Sequence, residues 1–307
     1  NQKEGTVMRG LLKVIVKTNP IQAKFQHFIE IIEPIYETIN PAIRFRPNYR
    51  QLKADDVIIL ACMLMRIEER DGSETYFHQK LVSWGITVPE RSRYNRRCRD
   101  LALIMKFMRV TLLKRWVPPV TYEIIDSAPI TLASARRSNQ AKVLNGFANK
   151  GYNATKQTYY YGFKLHAVMA NQGYFLAWEL TPAALDDRKA AEELLLTAPA
   201  RRVLADGGYL SQPLKDRLAT TFGIHLWTPL RKNMAAQTTV DTGFLKNQRR
   251  HIETNFNNLD TVGHFEHPGI RTMSGLESRL EALLLWHTIR VHEQLAAGKS
   301  GLKLGHY

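Results

Sequence analysis

The stretch Tyr-Glu-Ile-Ile-Asp-Ser (122–127) separates two parts of the chain that have different patterns. Residues 20–116 carry apolar side chains at helical spacing, whereas short strand-like runs follow the prolines of 117–120. The Tyr and Ile residues of the quoted stretch favour a β-strand over 121–126. We predict that this strand stops at the carboxylate of Asp126. A polar turn residue after a core strand is the ordinary interpretation of such an aspartate, so later residues have to decide its role.

The elements after this strand predict an α/β fold with a mixed five-stranded sheet flanked by helices. They are strands at 159–170 and 174–181 joined as a hairpin, a helix at 186–197, strands at 202–206 and 224–229 around a helix at 211–221, and helices at 244–259 and 275–297. This order matches the ribonuclease H-like fold. In that topology the strands that end at Asp126 and Asp206 are neighbours, so both carboxylates emerge at one edge of the sheet.

Glu253 lies in the predicted helix at 244–259, beside the apolar residues Ile252 and Phe256. If those two residues face the sheet, Glu253 can reach the edge that carries Asp126 and Asp206. Three carboxylates that converge need cations to neutralise them, and their hard oxygen atoms suit Mg²⁺ or Mn²⁺. Two such ions can support phosphoryl transfer. The alternative is a strand-end Asp, a turn Asp before two glycines, and a surface Glu.

Other acidic residues are weaker candidates for this site. Glu192 and Glu193 compete for the third position but lie in the helix at 186–197. Asp186 and Asp187 are typical of the N-terminal cap of that helix.

Composition points to a polyanionic partner. The formal net charge is +15 over 307 residues, which favours association with nucleic acid through attraction and release of counterions. Cys62 and Cys98 have neither a disulfide pattern nor zinc spacing. No run is apolar enough for a membrane span, and 7–16 lacks a signal-peptide cleavage pattern, so we expect no membrane partner and a cytoplasmic location.

The N-terminal part predicts an all-α DNA-binding domain over 1–118. A helix from Ser73, a turn with Gly85, and an Arg-rich helix from about Ser92 outline a helix-turn-helix reader over about 73–116. A solvated basic face on a helical bundle is the alternative. The candidate DNA contacts here are Arg91, Arg93, Arg96, Arg97 and Arg99.

Further candidates lie in the catalytic domain predicted over 119–307. We expect 127–158, which has basic but no acidic residues, to form a long basic loop with DNA contacts at Arg136 and Arg137. Lys164 and His166 share one face of the next strand, and Lys164 is a further candidate DNA contact. His166 is either a hydrogen-bonded core histidine or a contact to phosphate or metal. Phosphate contacts are also expected at Arg231 and Lys232.

Five separated blocks resemble the transposases of bacterial insertion sequences, most closely the insertion sequence 982 family. They are YEIIDSAPI (122–130), GYNA (151–154), YYGFKLH (160–166), LADGGYLS (204–211) and RRHIETNF (249–256). The resemblance implies a ribonuclease H-like domain in which Asp126, Asp206 and Glu253 bind two Mg²⁺ (or Mn²⁺) ions. Related families carry Tyr, Arg, Glu and Lys around the third acid. Arg249 and Glu253 match, but Lys246 and Asp260 stand at the Tyr and Lys positions.

The sequence therefore predicts a nucleoid-associated DNA transposase that cleaves element ends and joins the 3′-hydroxyls to target DNA. Its partners would be double-stranded DNA, as terminal inverted repeats and target, and further copies of the chain in a homodimer or larger synaptic complex. Arg250 is a further candidate DNA contact beside Arg249, and Asn257 a candidate neighbour of the metal site. A nuclease or resolvase that does not join strands, and a catalytically silent DNA-binding regulator, remain alternatives.

Overall fold

The computed structural model describes residues 20–44, 52–153, 156–196, 200–229, 241–302 and 304. These residues form two compact units. One contains the described residues up to Thr111 together with Glu277–Leu285, and the other contains those of Leu112–Leu276 and Trp286–Tyr307. The predicted domain boundary at 118 stays a prediction. No helix in the described ranges is long and apolar enough to cross a membrane.

The first unit is helical. Its elements are α1 (Pro20–Thr38), α2 (Pro41–Arg44), α3 (Asp56–Glu68), α4 (Glu74–Ser83), α5 (Arg91–Asp100) and the first part of α6 (Ala102–Trp116). Helix α3 is its most buried element, with Ile59, Leu60 and Leu64 almost fully enclosed. Ser73 caps α4 by accepting a hydrogen bond from the Tyr76 N–H, as the sequence predicts. Arg109 and Glu281 form a buried ion pair in this unit, with Nε and Oε2 2.8 Å apart.

The second unit contains a mixed sheet of six strands with helices on both faces. The strands are β1 (Glu123–Ser134), β2 (Asn149–Asn153), β3 (Thr158–Ala170), β4 (Phe175–Pro182), β5 (Arg202–Leu204) and β6 (His225–Trp227). The helices are α7 (Asp187–Leu196), α8 (Gln212–Phe222), α9 (Thr242–Gly263) and α10 (Met273–Ala296), of which Glu277–Leu285 groups with the first unit. This architecture is consistent with a ribonuclease H-like domain.

Strand order confirms the predicted topology at the centre of the sheet. β1 pairs antiparallel with β3 and parallel with β5, which in turn pairs parallel with β6. β3 also pairs with β4 along one part of its length and with β2 along another. In the β1–β5 register, Ile124 is the partner of Leu204. The strands before Asp126 and Asp206 are therefore neighbours, as expected.

Two sequence predictions about this region are wrong. β1 does not stop at Asp126 but continues to Ser134, and 127–158 is largely regular structure rather than a long loop. It holds the rest of β1, a 3₁₀ segment (Ala135–Gln140) and β2, which makes the sheet six-stranded rather than five-stranded.

Pro129 lies within the continuing strand although proline cannot donate to a strand ladder. Beyond Ile124, however, β1 pairs only with β3, so its other edge needs no ladder donors. The Thr131 N–H points to that free edge and donates to the Glu266 carbonyl at 2.6 Å. By alternation, Pro129 presents its nitrogen to the same edge, where no strand requires a donor. Gly162 permits the close approach on the β3 side, since a Cβ there would lie 1.9 Å from the Ile130 carbonyl oxygen.

Successive side chains of β1 point to opposite faces of the sheet. Ile125 joins an apolar cluster with residues of α7 and α8, including Leu195, Leu214 and Leu218. Met169, the β3 partner of Ile124, contacts Asn255 of α9 on the opposite face. Ile124 and Asp126 share that face by the two-residue period of a strand. Asp126 is thus directed towards α9.

Candidate active site

Asp126 and Asp206 are brought together by the β1–β5 register. Each follows a residue of the paired couple Ile124 and Leu204 by two positions, so both carboxylates reach the same end of the sheet. Asp126 remains within β1, opposite Ala167, and its side chain is mostly buried. Asp206 lies just beyond β5 and caps the 3₁₀ segment Gly207–Tyr209.

Backbone donors fix both aspartates. The Ser127 N–H donates to Asp126 Oδ1 at 2.8 Å. The Gly208 N–H donates to Asp206 Oδ1 at 2.6 Å. In each case the second carboxylate oxygen stays available to a cation. A strand-fixed and a cap-fixed aspartate therefore form a preorganised pair of oxygen donors.

Glu253 approaches the pair from α9. The neighbouring side chains Ile252 and Phe256 are buried, as the sequence predicts for a helix that packs on the sheet. Phe256 contacts Phe175 of β4, with ring centroids 5.5 Å apart. Glu253 itself is more than half exposed, so it is the least enclosed of the three acids. Arg249 precedes it by one helical turn.

One nitrogen atom of Arg249 lies within ion-pair distance of all three acids. Arg249 Nη2 is 3.6 Å from Asp126 Oδ2, 3.9 Å from Asp206 Oδ2 and 3.4 Å from Glu253 Oε1. Three separated acidic residues thus converge on a single positive charge. The sequence predicted Arg249 as a DNA contact and gave no sign of this bridging position.

The position of Asp126 among the other two acids shifts the pKa of its carboxyl group. The pKa of Asp126 is raised to about 7, mainly by burial and in smaller part by the negative charges of Asp206 and Glu253. The charge of Arg249 and the Ser127 N–H act in the opposite direction and lower the pKa. The ionised form of Asp126 therefore depends on a nearby cation, which is the arrangement typical of functional carboxylate clusters.

A fourth carboxylate borders the site. A Cβ built on Gly208 would lie 2.8 Å from Asp206 Oδ1 and 3.4 Å from Asp187 Oδ2, so Asp187 is close to Asp206. Asp187 also pairs with Lys164, whose Nζ lies 2.7 Å from its Oδ1 and 2.9 Å from the Leu185 carbonyl oxygen. The sequence suggested only a cap role for Asp187. Lys164 is therefore already engaged by protein groups.

His166 is fully buried in the sheet. Its Nε2 lies 2.9 Å from Thr181 Oγ1 of β4, and burial lowers the pKa of the ring to about 4, which keeps it neutral. This is the geometry of the core-histidine alternative. A contact with phosphate or metal would require the packing to open. Asn257 is exposed on α9, one turn beyond Glu253.

The predicted DNA contacts fall into three groups. Three are already paired with acids: Lys164 with Asp187, Arg249 with the triad, and Arg97 with the buried Asp56. The Arg97 guanidinium forms two hydrogen bonds with Asp56, one of them 2.7 Å from Nε to Oδ1. Arg231 and Lys232 lie outside the described residues. Exposed or partly exposed candidates are Arg91, Arg93, Arg96, Arg99, Arg136, Arg137 and Arg250.

As placed, no group of three or more His, Cys, Asp or Glu side chains in the described ranges could hold a metal ion. At the triad, the guanidinium of Arg249 lies within ion-pair distance of all three carboxylates. The donor atoms are nevertheless of the right type, since carboxylate oxygens are what Mg²⁺ and Mn²⁺ prefer.

The family model of the transposase DDE domain matches residues 119–273, which include Asp126, Asp206 and Glu253. The chain belongs to the DDE transposase family. It is accordingly a DNA transposase in general terms, with DNA as its partner. No curated protein shows a significant match to the chain. The resemblance to the insertion sequence 982 family stays a prediction.

The geometry predicts that Arg249→Gln destabilises the metal-free protein. The variant removes the one charge shared by three carboxylates, so the free energy of unfolding at neutral pH should fall by about 1–3 kcal/mol, between the values for exposed and buried ion pairs. Denaturant unfolding in the presence of EDTA measures this. Arg250→Gln is the matched control, since it removes the same charge from the adjacent exposed residue. Equal losses in the two variants would contradict the bridging role.

Proposed function

We propose that Asp126, Asp206 and Glu253 are the catalytic triad of a metal-dependent transposase that cleaves the ends of its element and joins them to target DNA. The observation that carries this proposal is the position of Arg249 Nη2, within 4.0 Å of a carboxylate oxygen of each acid. The three converging carboxylates need a positive charge at the position that Arg249 Nη2 occupies. The family match over 119–273 supplies the reaction class.

Two Mg²⁺ or Mn²⁺ ions bound by the triad would activate the attacking oxygen and stabilise the leaving oxygen of the phosphoryl transfer. Asp126 and Asp206 are held by backbone donors and would keep the site rigid, while the exposed Glu253 would adjust to complete it. Arg249 has to leave the carboxylates for this to happen. Its guanidinium then becomes available to a DNA phosphate, for which arginine is well suited.

The proposed chemistry consists of two attacks on phosphodiesters. In cleavage, a water oxygen attacks a backbone phosphate, and the 3′ oxygen of the element end leaves as a hydroxyl. In joining, that 3′-hydroxyl loses its proton and attacks a phosphate of the target, whose own 3′ oxygen leaves. One set of carboxylates serves both steps, because each is an attack on a phosphodiester.

The helical unit is proposed to bind DNA through α5. Arg93 and Arg96 are exposed, whereas Arg97 is held by Asp56 and is no longer proposed as a DNA contact. Phosphate contacts from Arg136, Arg137 and Arg250 would support the catalytic domain. Pairing two element ends requires at least two active sites, so a homodimer or larger complex at the nucleoid is part of the proposal.

Asp126→Asn should lower metal-dependent nicking of DNA by at least about a hundredfold while DNA affinity stays within twofold, because it removes a strand-fixed metal donor. A gel assay with DNA that carries the element ends and Mg²⁺ measures nicking. Asp216→Asn, an equivalent change at an exposed site on α8, serves as control. Robust nicking by the Asp126 variant would refute the triad. An assay with pre-cleaved element ends distinguishes a transposase, which joins these ends to target DNA, from a nuclease, which does not.

Arg96→Ala and Arg97→Ala should have different effects. Loss of an exposed phosphate contact at Arg96 should make the dependence of log affinity on log salt shallower by about one unit. Loss of Arg97 removes the positive charge beside the buried Asp56, which keeps only weaker neutral donors such as the Tyr36 hydroxyl, and should lower the free energy of unfolding by about 3–5 kcal/mol. Salt titrations of DNA binding and denaturant unfolding measure the two effects. An unchanged salt slope in the Arg96 variant would remove α5 from the DNA interface.

A further inference from the structure

The hairpin of β2 and β3 exposes a pair of aromatic rings. Tyr152 and Tyr159 are directly opposite partners, with ring centroids 4.9 Å apart and ring planes tilted by 55°. Their exposed fractions are 49% and 56%. Because the rings are tilted rather than stacked on each other, each keeps part of a face open to solvent.

Cross-strand aromatic pairs often serve only to stabilise a hairpin. Here β2 has other anchors. Asn149 Oδ1 accepts a hydrogen bond from the Ala184 N–H at 2.7 Å. A Cβ on Gly151 would lie 2.6 Å from the Ala183 carbonyl oxygen, so the backbone of β2 lies against the end of the β4 region. The hairpin is therefore held in place on the side away from the rings, and the exposed rings call for a different explanation.

The surroundings of the ring pair are positively charged. Lys150 Nζ lies over the Tyr159 ring, 5.2 Å from its centroid. The 3₁₀ segment with the exposed Arg136 and Arg137 contacts β3, and Lys156 of the β2–β3 turn pairs with Glu266 at 2.5 Å. No acidic residue occurs from 127 to 178. Open aromatic faces among cations match the chemistry of an unpaired nucleic-acid strand, which offers base faces and phosphates together.

We propose that Tyr152, Tyr159 and Lys150 form a stacking platform for unpaired nucleotides of the DNA on which this protein acts. The proposal rests on the proposed function for the identity of the partner as DNA. A duplex keeps its base faces inside the stack, so only an unpaired strand can use both rings. Lys150 would contact the phosphate beside the stacked bases.

The platform is distant from the triad. Tyr159 precedes Ala167, the β3 partner of Asp126, by eight residues. At the rise of a β-strand this corresponds to about 26 Å. The rise of about 3.4 Å per nucleotide in one strand makes this roughly eight nucleotide steps. The platform would thus hold DNA that flanks the reacting phosphate, rather than the phosphate itself.

Stacking can be measured directly with the fluorescent base 2-aminopurine. The probe is an oligothymidylate of about 16 nucleotides with 2-aminopurine in its middle, mixed with the full chain in EDTA. We expect the fluorescence to be quenched on binding. Anisotropy of the same strand and of a duplex of equal length gives the two affinities. Since no metal is present and no strand is cut, the result is independent of the nicking test of Asp126.

The variants separate stacking from charge. In the double variant Tyr152→Thr/Tyr159→Thr, which replaces the rings with β-branched residues that favour strands, we expect the quench to be lost and the single-strand affinity to fall at least about fivefold. Duplex affinity should change less than twofold. Tyr152→Phe/Tyr159→Phe should retain both the quench and the affinity. Lys150→Gln should weaken single-strand binding with the quench retained, and it leaves the rings in place if the Thr variant fails to fold.

Four results would overturn the platform. They are an unquenched probe bound to the unmodified protein, a quench that persists in a folded Thr variant, equal losses of single-strand and duplex affinity, and a loss of quench in the Phe variant.

Discussion

The arrangement of the catalytic unit depends on how three negative charges are held around one cation. Arg249 Nη2 contacts Asp126, Asp206 and Glu253, which come from a strand, a cap and a helix that are far apart in the sequence. Without a positive charge among them, carboxylates at this separation repel each other and shift towards the protonated form. The metal-free protein therefore needs the positive charge of Arg249 for its stability. The same carboxylate oxygens are proposed to bind the metal ions, so the stability of the metal-free protein and the proposed chemistry depend on the same atoms.

The rest of the unit fixes the donors of this cluster. The pairing of Ile124 with Leu204 sets both aspartates at one end of the sheet. Helix α9 is held by Asn255, whose side chain donates to Met169 Sδ and to the Leu302 carbonyl oxygen and pairs with His287 Nε2 at 3.0 Å. Burial lowers the pKa of His287 to about 3, so this contact is made by a neutral ring. Because Asn255 lies two residues beyond Glu253, these buried bonds set the position of the third acid.

Much of this could be predicted from the sequence. Strand-end patterns and element order were enough to place β1 beside β5 and to select the three acids, since local hydrophobic patterns and topology rules determine both. The sequence does not reveal the continuation of β1, because that part pairs with the distant strand β3. It does not reveal β2 either, because the short polar stretch Asn149–Asn153 lacks the apolar alternation of a strand, and its place depends on contacts with Ala183 and Ala184. Pro129 fits in β1 only because one edge of the strand pairs with no other strand there. Gly162 is needed only because the Ile130 carbonyl oxygen approaches its backbone closely. Arg97 was misassigned for the same reason, since its partner Asp56 lies in another helix.

In the proposed mechanism the three acids form a divalent-metal site from which Arg249 has to be displaced. Calorimetric titration of the metal-free protein with Mn²⁺ measures this competition. We expect the unmodified protein to bind Mn²⁺, and Arg249→Gln to bind it more tightly because no cation has to leave. Asp126→Asn combined with Asp206→Asn should abolish the binding. If all three proteins bind Mn²⁺ with the same affinity, the three acids are not its ligands and Arg249 does not compete with it.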